Sequence, residues 1–330
     1  MMRLPKFAYL RPRTLAEACR MLADAGPTAM VVAGGTDLYP NMKRRHQMPK
    51  TVVALRHLKE LKGVDGTRIA AGELLSDLER NARLRADQPA LWKAVSSIST
   101  PVLRNMGTIG GNACLDTRCT YYNQTLEWRR SIDYCMKCEG KTCWVAPSSG
   151  KCLAINSSDT APVLCALGAR LRLRSVDGER EVPADEFYAD DGIAYLRKRP
   201  HEILTDVVLP APNGPSTSLG AGWRSTYLKL RRRGAFDFPV LGVAVRLDFE
   251  GPRVRHARIY LNAVWMRPLR VPGAEKAVVG TSLDDESVAR AGDAAFAAAK
   301  PMDNADFHLH WRKEMARVYV RKALLELKPR

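Results

Sequence analysis

The sequence predicts an α+β protein of two domains, and three observations lead there. The chain has 330 residues, a length that suggests two domains or three at roughly 100–200 residues each. Short apolar strand-like runs alternate with helical patterns up to about Ser99. The last 110 residues read as a separate α+β unit, set off by the linker-like stretch 211–220, Ala-Pro-Asn-Gly-Pro-Ser-Thr-Ser-Leu-Gly.

Each element has a local reason. Ala8-Tyr9-Leu10 is a short strand, and a helix follows. Thr14 suits its N-cap, and Glu17 completes a capping box. Leu15, Ala18, Cys19 and Leu22 form its buried stripe, and Gly26 ends it. The apolar runs 29–33 and 51–55 are strands. Residues 76–85 and 89–98 have helical patterns, and 100–112 is rich in turn residues. A helical turn begins at Pro162. Residues 169–175 alternate Leu with Arg, as a half-buried strand does. Residues 240–249 and 254–264 are predicted strands, and 284–299 and 305–327 predicted helices.

Composition removes several classes. Hydrophobic residues are 46% and charged residues 26%, which is ordinary for a globular chain. No run of 18 apolar residues exists, and the start, Met1-Met2-Arg3-Leu4-Pro5-Lys6, lacks the apolar stretch of a secretory signal. A cytoplasmic protein without a membrane segment is therefore expected. The 52 Lys+Arg against 35 Asp+Glu give a net charge of +17. Such a surface suits an acidic partner, or is simply well solvated and rich in arginine.

Four features carry candidate chemistry. Gly34-Gly35-Thr36-Asp37 directly follows a predicted strand, where paired glycines let backbone N–H groups approach a phosphate. A second glycine turn, Gly107-Thr108-Ile109-Gly110-Gly111-Asn112, follows Arg104 and Asn105. Two such turns could close on one diphosphate from two sides. Neither reads G-x-G-x-x-G, which disfavours a Rossmann site. Then come six of the eight cysteines: Cys114, Cys119, Cys135, Cys138, Cys143 and Cys152. In a chain this long without an export signal, such a group suggests a metal or redox site rather than a disulfide framework. Spacing leaves zinc, an iron–sulfur cluster and scattered buried cysteines open, and counting does not choose four ligands from six. Lastly, Asp159 opens a predicted helix, where a cap is the ordinary role. Lys229 alternates with apolar neighbours, as on a solvated strand face; near a flavin it could stabilise the reduced, anionic form. His308-Leu-His310 has no third ligand nearby and reads as helix surface.

Val32-Ala33-Gly34-Gly35-Thr36-Asp37-Leu38 and Thr108-Ile109-Gly110-Gly111-Asn112 resemble the two FAD-binding turns of molybdenum hydroxylase flavoprotein subunits, across nearly the whole chain. The resemblance implies a two-part FAD-binding domain of p-cresol methylhydroxylase type over residues 1–215, with parts of roughly 1–60 and 61–215. A C-terminal α+β domain of the carbon monoxide dehydrogenase flavoprotein type would span 216–330. It implies cofactor contacts at Val32, Ala33, Gly34, Gly35, Thr36, Asp37, Asn105, Thr108, Gly110, Gly111, Asn112, Asp159, Leu204 and Lys229. Backbone N–H groups of both turns would hold the diphosphate.

About 40 residues separate the Gly-Gly-Asn turn from Ser158-Asp159. This stretch, about 114–155, resembles the insertion of the 4-hydroxybenzoyl-CoA reductase β-subunit family, which carries a [4Fe–4S] cluster. The resemblance implies ligation by Cys119, Cys135, Cys143 and Cys152, with Cys138 and Cys114 outside the pattern. It also implies partners: a molybdopterin-binding large subunit, a [2Fe–2S] small subunit and ferredoxin as electron donor, in a dimer of αβγ trimers. Chemistry on the substrate would occur in another subunit, so this chain supplies no catalytic residue. Two other readings are an oxidising flavin subunit of the same superfamily and a zinc-containing nucleic-acid-binding protein. The last lacks a recognition helix or aromatic stacking motif, so no nucleic-acid partner is expected.

Overall fold

A computed structural model describes residues 3–211 and 221–329 of the chain. Most of the linker-like stretch 211–220 therefore lies outside the described residues. Among the described residues, three sheets organise the fold. Strands β1 (Ala8–Leu10), β2 (Ala29–Val32) and β3 (Thr51–Ala54) form a parallel sheet in the order β1-β3-β2. The helix Leu15–Ala25 covers it. Thr14 accepts from the Glu17 N–H at 3.1 Å, and Gly26 ends the helix at φ +67°. Leu15, Ala18, Cys19 and Leu22 pack on Val53 and Leu55. Glu17 itself accepts from the Arg13 N–H at 2.6 Å, one residue earlier than a capping box requires.

The second sheet is antiparallel, in the order β4-β5-β8-β6-β7: β4 (Val64–Asp65), β5 (Arg68–Ala70), β6 (Arg170–Ser175), β7 (Gly178–Pro183) and β8 (Ile203–Val208). In β6 the Leu/Arg alternation is resolved by burial. Leu171 and Leu173 are fully buried, and Arg170, Arg172 and Arg174 pair with Glu181 and Glu179 of β7. Burying each such leucine contributes about 2 kcal/mol. The predicted helix 76–85 is two helices, Leu75–Arg80 and Ala82–Asp87, because the Asn81 side chain accepts from the Leu84 N–H and starts the second one. The turn-rich stretch 100–112 holds the helical turn Pro101–Arg104 and the short helix Ile109–Ala113, each capped by a threonine.

The third sheet, antiparallel and ordered β12-β11-β10-β9, comprises β9 (Ala221–Leu230), β10 (Leu241–Glu250), β11 (Arg253–Asn262) and β12 (Leu269–Arg270). The helices Pro272–Val278, Asp285–Ala298 and Leu309–Leu327 share one apolar core with Val243, Val245 and Leu247 of β10. From the opposite face, Tyr227, Ala244 and Tyr260 join the core that contains the helix Thr160–Leu167. Strand β9 also packs against the helix Pro89–Ser97. Among the described residues, no helix is long and apolar enough to cross a membrane.

Candidate functional site

Strand β2 runs directly into the first glycine turn. Gly35 has φ +71°, and a Cβ there would lie 2.5 Å from the Tyr39 ring. A Cβ on Gly34 would lie 1.9 Å from the Met106 carbonyl oxygen. The first turn therefore rests its backbone on the residues leading into the second. Among the described residues, the N–H groups of Gly34, Gly35 and Thr36 donate to no protein acceptor. Successive free N–H groups on such a turn make a concavity for an anion.

The second turn is built differently. Gly110 N–H donates to the Ala71 carbonyl at 2.8 Å, Gly111 N–H to the Thr108 hydroxyl at 3.1 Å, and Asn112 N–H to the Thr108 carbonyl at 3.0 Å. The donors expected to close on a diphosphate from this side are occupied, because Thr108 caps a helix here. Asn112 instead acts as a tie. Its Oδ1 accepts from Ser158 Oγ at 3.0 Å, Thr160 N at 3.1 Å and Thr160 Oγ1 at 2.8 Å. Asn262 of β11 donates to the Ser158 carbonyl at 2.7 Å and joins the third sheet to the same knot.

Asp159 occupies the N-cap position of the helix Thr160–Leu167 but makes no cap hydrogen bond. Its carboxylate accepts from Lys229 Nζ at 2.8 Å and from Tyr227 Oη at 2.7 Å. Lys229 and Asp159 side chains are only 4% and 3% exposed, so Lys229 is not on a solvated face. Lys229 also donates to the Ser97 carbonyl at 3.2 Å. Burial pushes the Asp159 carboxyl up and the Lys229 ammonium down, and each is opposed by its partner's charge.

The remaining predicted positions divide. Val32 is buried in the first sheet's core, Leu204 lies in the same core as Ile109, and Asn105 is exposed and, among the described residues, has no side-chain partner. Asp37 pairs with Arg118 and accepts from Asn41 Nδ2 at 3.0 Å. Burial pushes the Asp37 carboxyl up, and the Arg118 guanidinium opposes that shift. His308 and His310 are exposed, and His310 faces Glu314.

The cysteine segment forms its own enclosure. Cys119, Cys135, Cys143 and Cys152 are all buried and line one small cavity of about 10 Å³ with Tyr122 and Lys137. Cys138 is not in that wall; its Sγ accepts from the buried Arg129 at 3.1 Å. Cys114 also lies outside it. Burial raises the Cys119 thiol to about 12, the Cys152 thiol to about 11 and the Cys135 thiol above its usual range. Lys137 Nζ donates to Asp116 at 2.8 Å, Thr117 Oγ1 at 2.6 Å and the Gly192 carbonyl at 2.6 Å. His46 packs on Tyr122 with ring centroids 4.7 Å apart, and its Nε2 donates to the Gln124 carbonyl at 3.0 Å. Burial lowers its pKa to about 4. Among the described residues, no three His, Cys, Asp or Glu side chains are arranged to hold a metal ion. The four thiols are gathered, not set at ligating distances.

Residues 5–212 match the model of the FAD binding domain in molybdopterin dehydrogenase, and residues 225–327 match the CO dehydrogenase flavoprotein C-terminal domain. This chain is an FAD-binding subunit of the molybdenum hydroxylase family. It is 28% identical to the carbon monoxide dehydrogenase medium chain of Hydrogenophaga pseudoflava, over 97% of this chain and 96% of that one. It is 25% identical to the xanthine dehydrogenase FAD-binding subunit of Escherichia coli O157:H7, over 96% of each. The solved structure of reconstituted CO dehydrogenase from Oligotropha carboxidovorans superposes with a TM-score of 0.78 at 28% identity, covering 99% of both chains.

In this flavoprotein subunit the first turn fits the cofactor: it has free N–H groups and no side chains at Gly34 and Gly35 to obstruct an approach. Tyr227, Asn262, Arg118 and Lys137 are polar residues that sequence reasoning missed. Tyr227 had a signal, since it stands two residues before Lys229 on one strand face. The other three are set by contacts between distant segments.

Proposed function

We propose that this flavoprotein subunit is the electron-input chain of a molybdenum-containing 4-hydroxybenzoyl-CoA reductase. The observation that carries this reading is the shared cavity of Cys119, Cys135, Cys143 and Cys152, with Cys138 turned away to Arg129. Four thiolates suit a [4Fe–4S] cluster, whose potential follows its charge, hydrogen bonds and exposure. In this reading electrons enter from ferredoxin at the cluster, pass to FAD and leave toward the [2Fe–2S] and molybdopterin subunits of a dimer of αβγ trimers. We read residues 1–215 as the FAD-binding domain, with the cysteine insertion at 114–155, and 216–330 as the C-terminal domain.

The chain's own residues supply placement and potential. The free N–H groups of Gly34, Gly35 and Thr36 would hold the diphosphate, and the Asn112 knot and the Asp159–Lys229 pair would keep the surrounding segments in register. Lys137 holds a positive charge in the wall of the thiol cavity, which favours thiolate at Cys152. The +17 charge supports recognition of an acidic electron carrier, since complementary charge raises encounter rates.

A second reading is favoured by the named relatives, which include dehydrogenase chains for carbon monoxide, glyceraldehyde, xanthine and nicotinate. In it the subunit receives electrons from an oxidising molybdenum subunit. The assembled complex decides between them. With reduced ferredoxin, the first reading expects 4-hydroxybenzoyl-CoA to become benzoyl-CoA. A complex that instead oxidises an aldehyde, a purine or carbon monoxide, and leaves the thioester untouched, selects the second.

A further inference from the structure

We infer that Arg118 is a cofactor-contacting residue, whose free guanidinium N–H groups donate to the FAD held at the first glycine turn. The inference rests on FAD occupying that turn. Three other segments meet at this residue, two at its side chain and one at its backbone. Asp37, at the end of the first turn, pairs with it through Nη2. Its backbone exchanges both hydrogen bonds with Ile155, each at 2.8 Å, next to the Asn156–Asp159 segment. Phe238, from the loop after β9, lies over the guanidinium at 4.8 Å. Cys119, a wall of the thiol cavity, follows it in the chain.

The side chain is only 8% exposed, yet among the described residues its Nε and Nη1 atoms have no acceptor. Leaving buried donors of a charged group unmet is costly, so such atoms call for a partner. Asp37 neutralises the charge but uses only Nη2. The two remaining donors belong to a planar fork suited to phosphate oxygens or a ring carbonyl, and a flavin nucleotide carries both. Lys229, the cation expected to serve the flavin, is already committed to Asp159 and the Ser97 carbonyl. Arg118 is therefore a buried cation beside the first turn that, among the described residues, has donors to spare.

The test compares full-length wild type, Arg118→Lys and Arg118→Gln. Each is stripped of FAD and titrated with FAD by flavin fluorescence. Flavin potential and iron content are measured on reloaded protein. Arg118→Lys keeps the charge and the Asp37 pair but loses the fork, and FAD affinity should fall about tenfold. Arg118→Gln should also lower the flavin potential, because a cation near the flavin favours its reduced form. Phe238→Ala leaves both members of the Arg118–Asp37 pair in place and keeps the test open if the arginine variants misfold; it should weaken FAD several-fold without lowering the melting temperature. Affinity and potential equal to wild type in folded variants would overturn the inference, leaving Arg118 a structural partner of Asp37. Wild type that binds no FAD would instead remove the reading beneath it.

Discussion

The first glycine turn and the cysteine segment are organised in opposite ways. The turn works through what it lacks: no side chains at Gly34 and Gly35 and, among the described residues, no protein acceptors for its N–H groups. The cysteine segment works through side chains, with four buried thiols lining one cavity together with Tyr122 and Lys137. The turn is complete before any cofactor arrives. The cavity, at about 10 Å³, has room for about one water, so its walls would have to part to admit the proposed cluster. Flavin binding and cluster binding should therefore be separable, and stability should reside on the flavin side.

The largest effect expected is at Lys229. In Lys229→Met the Asp159 carboxylate stays buried without its cation, which costs about 3–5 kcal/mol. Chemical denaturation measures it, and a loss below about 1 kcal/mol would mean that Tyr227 alone suffices. Gly34→Ala comes next. Its Cβ would overlap the Met106 carbonyl, and the forced separation of the turns should cost about 1–3 kcal/mol and weaken FAD retention. Full flavin content in that variant would break the link between the turns and the cofactor.

The cysteine side sharpens the contrast. Cys119→Ser should lose iron and keep FAD, whereas Cys138→Ser should keep both. Iron analysis and the flavin absorption spectrum on the same samples read this out. Loss of flavin with iron would make the two sites one cooperative unit.

The smallest effect is a pH dependence. His46 is held neutral, with a folded pKa of about 4 against about 6.5 when unfolded. The unfolded chain binds the proton first, so this contribution is fully present above about pH 6.5 and is lost as pH falls toward 4. The melting temperature of wild type should fall across that window more steeply than that of His46→Gln. Parallel curves would mean that another group governs the insertion's docking.

Much of this was legible from local pattern. The Thr14 cap, the Leu/Arg alternation of β6 and both glycine motifs depend on neighbours within a few residues. Asp159 was legible as a helix opener but not as an ion-pair partner, because Lys229 lies 70 residues further on. Lys229 itself was misleading: its alternation with apolar neighbours suggests a solvated face, and only the packing of β9 against the helix Pro89–Ser97 buries it. The second turn was legible as glycine-rich but not as saturated, since its acceptors include Ala71, far back in the chain. Among the cysteines, spacing left the choice open, and the family resemblance chose the four that share a wall. Why Arg129 is fully buried beside Cys138 follows from no sequence pattern we identify.

The central question is whether the four gathered thiols hold a cluster in a chain that also binds flavin. Anaerobic purification of the intact chain, with FAD, iron, acid-labile sulfide and zinc measured on one preparation, tests this most directly. The account predicts about four iron and four sulfide per FAD. FAD with neither iron nor sulfide in freshly prepared anaerobic protein, or zinc in their place, would contradict it.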